Sequence, residues 1–153
     1  MQQTLVILKP CAIQRGIAGE IISRFEKKGL QIVGMKMAVL SDQVLESHYA
    51  HLKNKPFFER IKKSMQASPV ILMVVSGINA VEIVRKMTGE TNGRDALPGT
   101  IRGDFSMSVQ ENIVHASDSP ETAEIEIKRF FAENEIYEYQ RQLLPSIYAN
   151  DEY

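Results

Sequence analysis

The sequence predicts a compact α/β sandwich, helices packed on a small sheet. Short β-branched or apolar runs alternate with amphipathic helical stripes along the whole chain. At 153 residues the chain is long enough for one sizeable core, and no repeat, low-complexity segment or linker divides it, so residues 1–153 read as a single domain. A net charge of −1 argues against a general nucleic-acid or membrane surface. The single cysteine, Cys11, excludes an internal disulfide framework and reads as a small buried or half-buried thiol. No run approaches the roughly 18 apolar residues of a membrane span, and no charged leader opens the chain, so a cytoplasmic protein is expected.

The elements follow in order. Thr4 to Leu8 is a short apolar strand stopped by Lys9-Pro10. Ile17, Ile21, Ile22 and Phe25 mark one helical face, closed by Lys27, Lys28 and Gly29. Val33, Met35, Met37 and Val39 alternate as one face of a strand. Ser41 caps a helix with the stripe Val44, Leu45, His48, Tyr49 and Leu52; Lys55-Pro56 breaks it, and Phe57 to Met65 forms another. Val70 to Val75 is a continuous apolar strand, covered on both faces. Asn79 with Glu82 suggests a capping box opening a helix through Met87. Ile113 and Val114 favour a strand ending at His115. Ser119-Pro120 then opens a helix with Ala123, Ile127, Phe130 and Phe131 inward.

His115 therefore stands where a strand turns toward a helix, its backbone fixed by the sheet. A lone histidine there is more often structural, and the preceding loop reverses that. Gly89 to Glu111 is punctuated by Gly89, Gly93, Pro98, Gly99 and Gly103, yet it carries Leu97, Ile101, Phe105, Met107 and Val109, too apolar for a free linker. Arg94, Arg102, Thr91 and Thr100 add guanidinium forks and hydroxyls, which with glycine-exposed amides suit a polyphosphate. The P-loop pattern is absent. Arg85 is placed near a buried stripe and Glu126 on the inward edge of the last helix, where charges need partners. Lys9 ends the first strand, where a parallel or antiparallel neighbour can bring it beside His115; Tyr49 and Phe57 flank a proline-broken corner. His48 and His51 show no metal-ligand spacing and read as helix-face residues.

Lys9-Pro10, Gln14-Arg15-Gly16, His48-Tyr49, Pro56-Phe57-Phe58, Gly89 to Asn92, Pro98 to Phe105 and Asn112 to Ser119 together resemble the nucleoside diphosphate kinases along nearly the whole chain. The resemblance implies a ferredoxin-like sandwich with a four-stranded antiparallel sheet, and a homo-oligomer built from dimers, a tetramer or a hexamer. It implies that His115 is phosphorylated, at Nδ1. Glu126 and Ser117 would orient its ring, and Tyr49 would line the pocket. Arg85, Thr91 and Arg102 would bind the phosphates of nucleoside di- and triphosphates, with Mg²⁺ bridging phosphate oxygens rather than held by a metal site of the protein. Lys9 and Asn112 would contact the sugar hydroxyls, Lys9 also lying near the transferred group, while Phe57 stacks on the base with Ile61 and Val109 completing the slot. Cys11, Gly93 and Ala116 depart from the commonest pattern, where an acid, a proline and a glycine stand; of these, Ala116 is expected to alter the backbone beside His115. The segment Tyr148 to Tyr153 is a candidate cover for a neighbouring subunit.

The chemistry stands beside the resemblance. One site moves a phosphoryl group between two nucleotides if a covalent intermediate holds it, and an imidazole is a competent nucleophile near neutrality. Cations stabilise the loose transition state, and little base specificity is expected. The competing classes are an RNA-binding sheet module, disfavoured by charge and by the missing RNP1 pattern, and an inactive nucleotide-binding regulator, disfavoured by the intact His115, Glu126, Arg102 and Thr91 set.

Overall fold

β1 (Gln2–Leu8) is the strand around which the chain is organised. In the computed structural model, which describes every residue except Leu143, β1 lies between β3 (Val70–Gly77) and β4 (Val114–Ala116), and β2 (Gln31–Ala38) flanks β3. The order β2-β3-β1-β4 is antiparallel throughout, the ferredoxin-like sheet.

Strand alternation divides the core in two. Val6 and Leu8 join a cluster with Ile21 and Phe25 of α2 (Ala18–Lys28), Ala80 and Val84 of α5 (Ala80–Thr88), Ile101 of α6 (Ile101–Phe105) and Ala12 of α1 (Pro10–Gln14). Leu5 and Ile7 join the other, with Leu45 of α3 (Asp42–His48), Met65 of α4 (Phe58–Met65), and Ile127 and Phe130 of α7 (Pro120–Phe130). Helices therefore cover both faces. β3 is buried along nearly its whole length, as its unbroken apolar run requires.

Local signals hold at most helix ends. Gly29 caps α2 at φ +103°, a left-handed position that favours glycine. The Ser41 and Ser119 hydroxyls accept from the backbone N–H groups of Val44 and Thr122. Asn79 differs. It sits at φ +51° with no side-chain cap, so α5 begins without the expected capping box. β2 differs too: a bulge between Ile32 and Gly34 buries Val33, while Met35 and Met37 are 45% and 61% exposed. The long loop is not structureless, since Thr100 caps the short helix α6 through the Gly103 N–H. The C-terminal segment packs on its own chain, Tyr148 accepting from the Ile78 N–H at 3.2 Å. Among the described residues no helix is long and apolar enough to cross a membrane.

Candidate active site

His115 pairs with Ile7 in the β1–β4 register, so its side chain shares the face that packs against α3 and α7. There it meets Glu126 of α7, with His115 Nε2 3.0 Å from Glu126 Oε2. The fully buried Ser117 hydroxyl donates to the same oxygen at 2.7 Å. Burial pushes the Glu126 carboxyl up, but hydrogen bonds and charge from His115, Ser117 and His48 outweigh that and hold it below the usual range. A carboxylate accepts, so Nε2 carries the ring proton and Nδ1 keeps the lone pair.

The backbone before His115 is not the strand that its β-branched residues suggest. Ile113 has φ +74°, and Val114 N–H donates to Asn112 C=O at 2.8 Å, closing a three-residue turn. Such a conformation costs a β-branched residue on the order of 1–3 kcal/mol and persists only when its surroundings impose it. Here they do: Ile113 is fully buried, its carbonyl accepts from Lys9 N–H at 2.9 Å, and Arg102 clamps both sides. Arg102 Nε donates to Asn112 C=O at 3.2 Å and Nη2 to Val114 C=O at 2.7 Å, while Nη1 reaches Gly89 C=O at 2.8 Å. Arg102 is thus the buried arginine. Burial, then repulsion from Arg85, lowers its pKa to about 10. Arg85, expected beside a buried stripe, is instead exposed on the cleft wall, because position 85 falls on the solvent side of α5; the expectation of a buried, partner-seeking Arg85 is corrected accordingly.

Two adjoining cavities meet at Lys9, Tyr49, Thr91 and Asn112. One, of about 590 Å³, holds His115 with Lys9, Arg85, Thr91 and Arg102. Lys9 Nζ donates to Gln110 C=O at 3.4 Å, and burial followed by repulsion from Arg102 brings its pKa down to about 8. Burial, reinforced by Glu126, raises the Tyr49 phenol to about 12. Buried Asn112 donates to Thr91 C=O at 3.0 Å, leaving its Oδ1 unpartnered among the described residues. The other cavity, of about 400 Å³, is a slot between Phe57 and Ile61 on one side and Val109 on the other. Phe57, which lines the slot, is 37% exposed.

The twelve residues singled out from the sequence thus gather around these two cavities, with Ser117 behind Glu126. Four others were given no role from the sequence. His48, read as a plain helix-face residue, is buried with its ring 4.6 Å from that of His115. Arg129 contacts His48 at 3.1 Å. Arg60 and Gln110 bridge the slot rim at 3.0 Å. Only the i, i+3 spacing of Glu126 and Arg129 on one helix face hinted at any of this. His48, His115 and Glu126 bring donor atoms within 4.8 Å of one another, yet the Arg129 cation on His48 Nδ1 opposes a divalent ion there.

The three sequence departures have local accounts. Gly93 donates its N–H to Ser108 C=O at 3.2 Å, a bond that proline lacks, and a side chain there would strike the Ser106 backbone. Ala116 pairs regularly with Val6 and fills the core; the unusual backbone lies at Ile113 instead. Burial raises the Cys11 thiol pKa.

The model of the family described as nucleoside diphosphate kinase matches residues 2–136. A nucleoside diphosphate kinase of Parabacteroides distasonis is 64% identical over 153 residues, covering 100% of both chains. One from Pyrococcus abyssi is 54% identical over 143 residues, covering 92% of this chain and 90% of that one. The solved structure of a halophilic nucleoside diphosphate kinase from Halobacterium salinarum, in complex with CDP, superposes with a TM-score of 0.93 at 37% identity, covering 96% of this chain and 98% of that one.

Proposed function

The chain belongs to the nucleoside diphosphate kinase family, and we propose that His115 is the residue on which it holds the phosphoryl group between its two half-reactions. The enzyme transfers the terminal phosphoryl group of a nucleoside triphosphate to a nucleoside diphosphate, by a ping-pong route through phosphohistidine and with little base specificity. The observation that carries the assignment is the Nε2 bond to Glu126, which leaves Nδ1 as the nitrogen with a free lone pair.

In the first half-reaction Nδ1 attacks the terminal phosphorus, and the bond to the bridging oxygen breaks with its electron pair leaving on the diphosphate. In the second, a terminal oxygen of another diphosphate attacks, and the P–N pair returns to Nδ1. Glu126 offsets the positive charge that develops on the ring, and Ser117 holds the carboxylate in place. Arg85, Lys9 and Thr91 bind the phosphates; Arg102 adds its charge and its two remaining N–H donors, since three already hold carbonyls. The orphan Oδ1 of Asn112 accepts from a sugar hydroxyl, beside Lys9. Tyr49 closes the wall, and the base stacks on Phe57 with Ile61 and Val109 around it. CDP in the Halobacterium salinarum relative is consistent with a slot that takes pyrimidines.

The cleft wall is cationic, with Glu126 already engaged and Asp118 the other carboxylate lining it, so it cradles phosphate better than it cages a hard cation. Arg85, Thr91 and Arg102 would hold the phosphate oxygens of a Mg²⁺-bound nucleotide, and the ion would supply neutralisation of charge on the transferring group. We further read residues 1–153 as one cytoplasmic catalytic unit that assembles from dimers, a reading supported by the exposed Met35 and Met37 on edge strand β2; sedimentation measures the assembly. Incubation with ATP labelled at the γ-phosphate tests the central assignment. Label is expected on His115, labile to acid, stable to alkali and passed to an added nucleoside diphosphate. Acid-stable label on Ser117 overturns it.

A further inference from the structure

Arg129 has no part in the roles assigned so far. Its Nη1 lies 3.1 Å from His48 Nδ1, and because a guanidinium only donates, that nitrogen accepts and the His48 proton sits on Nε2. His48 is buried, and Nε2 finds no partner among the described residues. The ring stands edge-on to His115, with the planes at 82°. His48 Nδ1 is also 3.8 Å from Glu126 Oε1, the carboxylate oxygen that His115 and Ser117 leave free.

We propose that Arg129 is a positioning residue: by donating to His48 Nδ1 it stops that nitrogen from taking a proton and drawing the Glu126 carboxylate away from His115. The proposal rests on the reading of Glu126 as the partner of the reacting ring. Glu126 faces two imidazoles, one with each oxygen. A proton on His48 Nδ1 turns that atom into a charged donor beside Oε1, and the carboxylate then supports the His115 ring less. With Arg129 in place, the same proton would set two donors against each other.

The groups facing His48 come from every side: His115 from β4, Glu126 and Arg129 from α7, Lys9 from the end of β1, and Tyr49 from its own helix end. Burial first, then His115, with smaller contributions from Arg129 and Lys9, lowers the His48 pKa to about 3, against the upward pull of Glu126. Removing Arg129 takes away one opposing charge and frees the lone pair together, so that Glu126 pulls against burial, His115 and Lys9 alone.

The test is the pH profile of kcat/KM in Arg129→Leu, which keeps the aliphatic packing. Its acid limb should move up by about one pH unit, so that the loss is about tenfold at low pH and shrinks as pH rises. Arg129→Lys, which keeps a donor, should restore much of the wild-type profile. The double variant Arg129→Leu/His48→Phe should return the limb to its wild-type position, because no second imidazole is left to protonate. An equal loss at every pH, or a shift that persists in the double variant, overturns the proposal. Nitrogen-15 NMR of His48 reads the tautomer directly: Nε2–H is expected in the wild type, and Nδ1–H there overturns the proposal. The NMR result does not depend on which residue is phosphorylated, so failure of the His115 assignment, seen as turnover by His115→Ala, is told apart from failure of this inference.

Discussion

The two sides of His115 are built differently. On one side lies a closed polar arrangement, in which Glu126 is buried, bonded to His115 and Ser117, and approached by His48, which Arg129 contacts in turn. On the other lies an open apolar slot, with Phe57 and Val109 partly exposed and the Arg60–Gln110 and Ser64–Glu111 bonds at its rim. Chemistry at a fixed atom requires a ring held in one orientation and one tautomer, which buried hydrogen bonds impose. Acceptance of several bases requires a surface that stacks without reading edges. On the proposed reading, the difference teaches that catalysis and tolerance occupy adjacent walls without compromising each other.

Changes on the polar side should therefore cost more than changes in the slot. His115→Ala is expected to cut turnover by more than about 10³-fold, because no neighbouring group replaces the nucleophile. Circular dichroism and a melting curve should show the fold intact, since the side chain is only partly buried. Glu126→Gln keeps the shape but removes the charge; about 10- to 100-fold loss in kcat is expected, by analogy with the partners of metal-bound imidazoles. A loss in KM alone would mean that Glu126 serves binding and that the comparison is misdrawn.

Lys9 lies between the two walls, and its titration sharpens the boundary. A lysine whose pKa is lowered to about 8 is charged below that pH and loses its charge above it. Phosphate binding that needs the charge should weaken about tenfold between pH 7 and 9, seen as an alkaline limb in kcat/KM. Lys9→Arg should remove that limb, because a guanidinium keeps its charge throughout the range. The smallest effect belongs to the slot. Phe57→Ala should weaken every nucleoside diphosphate by about 1 kcal/mol, near fivefold, the low end for a stacked base because the ring is partly exposed. Equal factors for purines and pyrimidines are expected. A preference that appears or vanishes for one base would show that the Arg60–Gln110 rim reads base edges, and the contrast between the walls would then need redrawing.

Some of this was written along the chain itself. Periodicity is local, so α2, α4 and α7 and the buried strand β3 follow from runs of a few residues, and Ser41 and Ser119 mark helix starts through hydrogen bonds three residues long. The motif residues around His115 were likewise legible, because each keeps its identity at its place in the chain. What local patterning does not contain is any contact between distant segments. The positive φ of Ile113 runs against its own β preference and exists only because Arg102, Lys9 and the core hold it. Arg85 stands exposed where a buried position was expected, and Arg102 is the buried arginine, since which side of a helix or loop faces the core depends on what packs there. His48 and Arg129 stand 81 positions apart and meet only when α3 and α7 cover one face of the sheet. Composition, spacing and the resemblance of the motifs thus pointed to the class of the fold and to the candidate reactive groups. Tertiary packing alone decided which nitrogen, which carboxylate oxygen and which arginine each of them meets, because burial forces every polar group to find its partner in space.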